Sequence, residues 1–275
     1  MTALGIDVRD DGLTGVTVDE AGRVVSRGTS GEAAGSVGFA VRDPLADDIE
    51  TTVARAASAS AVTAAPRIVT RGAAVALAEQ WRGAARGAAY VVALTLDECV
   101  HAGTAVDGRP FEGAHRMAGA AAWLALNPVE REDYRKFGCI EAEIGTAGIV
   151  RRLVWRIKAG DQSRVLEAAG GSLDAITVQQ VFDGARAGDG VAISVVRDTA
   201  RYVGMAIANL VAVIDPDVVV LGGAIADAAD LLVEPARTEA VRRLPPGLAR
   251  AVAILPSTLG ADAAPIGAAR ASMGG

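Results

Sequence analysis

Two strand-like runs in this chain end in carboxylates. The first, residues 4–8 with Asp7 near its end, leads into Arg9-Asp10-Asp11-Gly12. The second, residues 90–96, leads into Asp97-Glu98-Cys99-Val100-His101. Carboxylates at this density have three uses. They can gather a divalent cation or a cationic small molecule such as an amino sugar, whose charge offsets the repulsion that otherwise raises their pKa values. They can serve acid–base chemistry, with His101 and Cys99 beside them in the chain. Or they are solvated turn residues. All three readings stay open on sequence alone.

Each acidic turn belongs to the same kind of element. Short β runs at residues 4–8, 15–18 and 23–27 are separated by Arg9-Asp-Asp-Gly12 and Asp19-Glu-Ala-Gly22 and read as an antiparallel meander. The pattern recurs about 90 residues later, with runs at 90–96 and 101–106 followed by Asp107-Gly-Arg109. One such duplication predicts two lobes with a cleft between them. Asp43-Pro44 reads as the N-cap and first position of a helix carrying Leu45, Ile49, Thr52, Val53 and Ala56. Residues 67–70 read as a strand and 73–81 as a helix. Helices are expected over 113–126, stopped by Asn127-Pro128, and over 139–158. Thr177-Val-Gln-Gln180 is a capping box opening a helix to Arg186, and Asp189 caps a longer one. In that longer helix Ile193, Val196, Ala200, Val203, Ile207, Leu210 and Ile214 share a face, and Gly204 would admit a neighbouring backbone. Residues 218–221 with Gly222-Gly223 make a buried strand and turn, 251–255 another strand, and an Ala/Gly-rich helix ends the chain.

Composition narrows the function classes. With 51% AVILMFWYC residues among 275, the chain has ample material for a core and is not intrinsically disordered. The net charge of −6 argues against a nucleic-acid module. Two cysteines, Cys99 and Cys139, exclude a disulfide scaffold and suit a reduced, cytoplasmic setting. The first eleven residues hold three aspartates and no basic signal-peptide region. The longest apolar run, 203–214, is interrupted by Asn209 and falls short of the about 20 residues a bilayer needs.

Residues 218–225, together with Gly188-Asp189, residues 202–209, Asp215-Pro216, residues 261–264 and residues 266–269, resemble the C-terminal half of the ROK family of bacterial sugar kinases and sugar-responsive repressors. Leu4-Gly-Ile-Asp7 resembles its first strand, Glu112-Gly-Ala-His115 its substrate-side segment, and Gly138-Cys-Ile-Glu141 the tail of its zinc motif. The resemblance implies an α/β, two-lobed actin-like fold. A first lobe of residues 1–90 would be joined by a C-terminal helix, 262–275, and a second lobe would span 91–261. It implies a homodimer, an adenosine-side turn at Gly222 and Gly223, and substrate contacts from His115 and Glu141. It also brings Asp7, Asp10, Asp11, Asp97 and Glu98 to one cleft, with His101 and Cys99 nearby.

The same resemblance exposes departures. The family's Asp-x-Gly-Gly-Thr has become Asp7-Val-Arg-Asp-Asp11, and its Gly-Thr-Gly-x-Gly turn has become Asp97-Glu-Cys-Val-His101. Two anion-accepting turns are therefore acidic, and each carboxylate close to a triphosphate costs about 1 kcal/mol in water and more inside a protein. Aligned on residues 76–79, the Asn-Asp pair that supplies the general base becomes Arg71-Gly72. Arginine stays protonated and glycine has no side chain. The zinc motif falls on residues 132–141, where only Gly138, Cys139 and Glu141 match and Glu132 and Tyr134 replace cysteines. Its Glu-x-x-His falls on Ala120 and Trp123. One of four ligands remains, so no structural zinc is expected. The reading is a protein that has lost sugar kinase activity and binds a small molecule, such as a sugar or a cationic sugar derivative, or uses the cleft for other chemistry. A divalent cation is a further ligand of the acidic cleft. The rivals are an active kinase with an unorthodox site, and a regulatory or structural partner. The first strand starts at residue 4, leaving no room for the helix-turn-helix of the family's repressors.

Overall fold

The computed structural model describes residues 2–30, 34–60, 62–97 and 99–274. The first part forms β1 Thr2–Arg9, β2 Gly12–Asp19, β3 Val24–Arg27, β4 Ser36–Val41, α1 Ile49–Ala59, β5 Arg67–Thr70 and α2 Arg71–Arg82. Next come β6 Tyr90–Leu96, β7 Val100–Val106 and β8 Arg109–Phe111. A helical stretch follows: α3 Glu132–Phe137, α4 Cys139–Ile144, α5 Thr146–Lys158, α6 Arg164–Ala168, α7 Val178–Arg186 and α8 Gly190–Ile214. The chain closes with β9 Val218–Gly223, α9 Ala224–Asp227, α10 Ala229–Arg243, α11 Pro246–Ala251, β10 Ala253–Pro256 and α12 Ala263–Met273.

The strands make two five-stranded sheets, ordered β3-β2-β1-β4-β5 and β8-β7-β6-β9-β10. In both, three antiparallel strands are followed by two parallel ones. The duplication in the sequence is thus a duplication of topology. Strand alternation sets the layers. On β1, Leu4 and Ile6 face a core with Phe39 and with Val53 of α1, whereas Ala3 faces the other side. On β6, Val91 and Ala93 join that same central core, whereas Val92, Leu94 and Leu96 face the helical stretch. The central core holds α2 and α12, alanine-rich helices packed against each other between the sheets. The C-terminal α12 lies against β1 and β4. The fold is two-lobed, mixed α/β and actin-like.

Sequence periodicity located the first meander, β5 to β7, the capping box of α7 and the Asp189 cap of α8. A Cβ at Gly204 would stand 2.6 Å from the Ala236 carbonyl, so α10 does use the close approach expected there. Three expectations are corrected. Asp43 does not cap a helix. Its Oδ1 accepts from Leu45 N at 2.8 Å in a local turn, and α1 begins only at Ile49. Residues 113–126 are not a helix, because Gly119 O is taken by Ala102 N of β7 and positive φ occurs at Gly113, Arg116 and Gly119. The helix over 139–158 is broken at Gly145 into α4 and α5. β4 and α9–α11 were not anticipated. No helix among the described residues is long and apolar enough to cross a membrane.

Candidate functional site

Asp7 and Asp97 stand at the ends of the equivalent strands β1 and β6, and Arg71, the first residue of α2, stands between them. Thr70 closes β5 and caps α2 through its hydroxyl, so the guanidinium is launched from a fixed turn. Arg71 Nη2 donates to Asp7 Oδ2 at 2.8 Å, and Arg71 Nε lies 3.9 Å from Asp97 Oδ2. The Asp7–Arg71 pair is buried, at 1% and 6% side-chain exposure. Burial pushes the Asp7 carboxyl up from 3.8 to about 6, against the pull of Arg71 and Arg9 and with a further push from Asp97. Three buried polar atoms here, Asp7 Oδ1, Arg71 Nε and Thr95 Oγ1, lack a hydrogen-bond partner among the described residues.

Of the two residues aligned with the general base, only Arg71 carries a side chain into the cleft, while Gly72 gives bare backbone to the larger cavity. A Cβ on Gly72 would lie 1.9 Å from the Ala102 carbonyl, so position 72 backs onto β7 and has no room for a carboxylate.

Two cavities flank this turn. The smaller, about 130 Å³, is lined by Arg9, Arg71, Thr95, Asp97, Asp227 and Ser257 and by the Gly222-Gly223 turn. Gly223 has φ +61, and a Cβ there would meet Asp97 Oδ1 at 2.5 Å, so a carboxylate lies against the backbone of that turn. Glu79, fully buried, accepts from Ser257 Oγ at 2.5 Å and Ala84 N at 2.7 Å, and so ties α2 to the chain after β10.

The larger cavity, about 360 Å³, includes Arg42, Thr70, Cys99, His101, Trp123, Lys136 and Glu141 in its lining. His101 lies beside Thr95 across the β6–β7 ladder, on the strand face turned toward α2. Burial, then the charges of Arg71 and Arg42, lower its pKa to about 3, so the ring is neutral. Glu141 accepts from Val100 N at 2.5 Å, and burial raises its pKa against that bond and Arg42. Arg42, Lys136 and Trp123 were not among the sequence candidates. All three are exposed in the folded chain and share one cavity because distant segments line it.

The acidic residues do not all converge. Asp10 is exposed and pairs with Arg42 at 3.3 Å, and Asp11 is exposed and pairs with Arg9 at 3.1 Å. Glu98 lies outside the described residues. Cys99 lines the larger cavity. His115 is exposed and lines neither cavity, because residues 113–119 form an irregular turn rather than a helix. Arginines therefore pair with the described acidic residues, where a bound cation was one of three readings, and no group of three or more His, Cys, Asp or Glu among the described residues could hold a metal ion.

The positions resembling zinc ligands do not fit that metal. Tyr134 and Cys139 pack together with Ala142, while Glu132 and Trp123 are exposed. In place of a metal centre, Tyr134 Oη donates to the buried Glu143, and Arg131 donates to Glu143 at 3.0 Å and to Asp133 at 2.6 Å. Arg131 and Arg151 lie over the Trp155 ring at 5.3 and 5.0 Å. Glu143 was missed by sequence reading. Its signal is a lone carboxylate inside the otherwise apolar second half of α4.

Comparison with known proteins places this geometry. The profile of the ROK family matches residues 52–272. A glucokinase of Halalkalibacterium halodurans is 32% identical over 199 residues, 70% of this chain and 58% of the relative. The chain thus spans a little over half of that relative's length. A ROK family glucokinase from Streptomyces griseus, solved with glucose and AMPPNP, superposes with TM-score 0.80 at 22% identity over the whole of both chains. A ROK family transcriptional regulator superposes with TM-score 0.81 at 18% identity, over 98% of this chain and 77% of its own.

Proposed function

The chain belongs to the ROK family, and we propose that it binds a small hydroxylated molecule in the larger cavity without transferring a phosphoryl group. The observation that carries this reading is the Arg71 guanidinium held between Asp7 and Asp97. A general base must accept a proton, and a guanidinium does not. The smaller cavity supports the same reading. Its about 130 Å³ falls short of the 300 Å³ or more typical of ligand pockets, and Asp97 lies against the glycine turn. Developing charge on a transferred phosphoryl needs preorganised donors, which carboxylates oppose. The larger cavity falls within the ligand-pocket range and offers an exposed indole at its edge, a neutral imidazole and a carboxyl. Relatives named glucokinase make hexose-sized polyols the first class to test.

The test pairs thermal shift with coupled ADP release. A sugar from a panel of hexoses, amino sugars and sugar acids should raise Tm, whereas millimolar MgATP should neither raise it nor yield ADP with any member. Sustained ADP formation with any sugar overturns the reading. The homodimer belongs to the same proposal. Light scattering should give twice the chain mass of 27.9 kDa, and a monomer at micromolar protein refutes it.

A further inference from the structure

The larger cavity presents an imbalance. His101 is 9% exposed, lines the cavity, and no hydrogen bond reaches its ring among the described residues. A neutral imidazole offers one N–H and one nitrogen lone pair, the complement of a hydroxyl. Glu141 spends Oε2 on Val100 N, while Oε1, beside Gly145, accepts no hydrogen bond among the described residues. Asp43 has an oxygen committed to Leu45 N. Among the described residues Arg42 is held only by the exposed, 3.3 Å pair with Asp10, a kind of pair that contributes little. Lys136 rests over the Phe137 ring at 5.1 Å, and no carboxylate among the described residues pairs with it. Two cations with unspent capacity thus face a cavity whose hydroxyl-binding groups lie deeper.

The geometry points to a carboxylate-bearing sugar, a uronic or aldonic acid, as the ligand, with Arg42 and Lys136 taking its carboxylate and His101 and Glu141 its hydroxyls. This rests on the proposed function above and names the ligand class of that cavity. It reverses the expected cationic ligand, since an ammonium group would stand against Arg42 and Lys136. A planar carboxylate matches the guanidinium fork and brings a single charge. A dianionic phosphate would bring a second charge toward Glu141 and Asp43 on the same walls. Trp123, 57% exposed at the cavity, offers an apolar face for ring C–H groups.

Calorimetric titration at low ionic strength tests this with glucuronate, gluconate, glucose, glucosamine and glucose 6-phosphate. Glucuronate or gluconate should bind at least about tenfold tighter than glucose, the usual worth of a charge-assisted bond. Arg42→Gln should erase that preference, and Lys136→Gln should reduce it, read as the ratio of acid to glucose affinity within each variant. Both side chains are on the surface, so neither change threatens folding. Glucose or glucosamine binding as tightly as the acids overturns the inference while leaving the proposed function in place. Tighter binding of glucose 6-phosphate, or an acid preference that survives Arg42→Gln, also overturns it. Absence of binding by every sugar in the panel removes the inference and the ligand-binding half of the proposed function together.

Discussion

The two cavities meet at one turn of one helix, and each is lined by two cations and two carboxylates, but they differ in how far those charges are already paired. On the smaller side, Arg71 is committed to Asp7 and Asp97 before any ligand arrives. On the larger side, the same turn presents Thr70 and the bare backbone of Gly72, and the polar groups around it keep hydrogen-bonding capacity. A ligand entering the smaller cavity must disturb an ion pair in a medium where breaking it is costly, although Arg71 Nε and Thr95 Oγ1 there lack hydrogen-bond partners among the described residues. A cavity with an unpartnered neutral histidine is completed by its ligand. Position relative to α2, more than residue type, separates the two.

The most severe way to break this comparison is to remove the charge at the turn. Arg71→Met leaves Asp7 buried and uncompensated and should cost about 3–5 kcal/mol by urea denaturation. The double variant Asp7→Leu with Arg71→Met should recover most of that loss. A single-variant loss below about 1 kcal/mol would mean that water already reaches the pair.

The next effect is pH-dependent. A carboxyl whose pKa is higher folded than unfolded holds its proton more tightly in the folded state. Its contribution to stability is full below the unfolded value and is lost as pH rises through the folded one. For Asp7 the window runs from 3.8 to about 6. At about 1.4 kcal/mol per unit, roughly 3 kcal/mol is lost across it. Denaturation curves of wild type and Asp7→Asn should therefore diverge between these values, with the asparagine variant flatter. Parallel curves would place the titration elsewhere.

Gly72→Ala sharpens the comparison from the other side of the turn. The new methyl meets the Ala102 carbonyl at 1.9 Å and must push β7 from α2, at about 1–3 kcal/mol. It should also weaken ligand binding in the larger cavity, because His101 adjoins Ala102 on that strand. An unchanged Tm would show that β7 yields freely.

The smallest effect is expected at the exposed turn. Asp10→Asn and Asp11→Asn remove partners of Arg42 and Arg9 and should change stability by no more than about 0.5 kcal/mol. Asp10→Asn should increase acid affinity in the larger cavity, since Arg42 then loses a competitor. Reduced affinity would mean that Asp10 positions the guanidinium.

Much of the fold was legible as pattern. Alternation on β1 puts Leu4 and Ile6 on one face and Ala3, Gly5 and Asp7 on the other, so Asp7 had to point toward the central helices once that strand was recognised. The repeated meander anticipated the repeated sheet order. Residues 113–126 were misread because alanines and a flanking Asn-Pro mark a helix locally, while Ala102 N claims the Gly119 carbonyl from another part of the chain. Five carboxylates looked alike in sequence, and burial divided the four described ones: Asp7 is enclosed, Asp97 part-buried, and Asp10 and Asp11 are solvated.

By itself the sequence determined the first meander, β5 to β7 and β9, the caps of α7 and α8, and the residue types Arg71-Gly72 and Asp10-Asp11 at positions that resemble a kinase's. These are local properties, set by side-chain period, capping chemistry and residue identity. Only the tertiary structure decided that Arg71 neutralises Asp7, 64 positions away in the chain, and that Arg42, His101 and Glu141 share one cavity. Charge pairing and burial depend on distance in space, and a folded chain sets that distance through contacts that no local window contains.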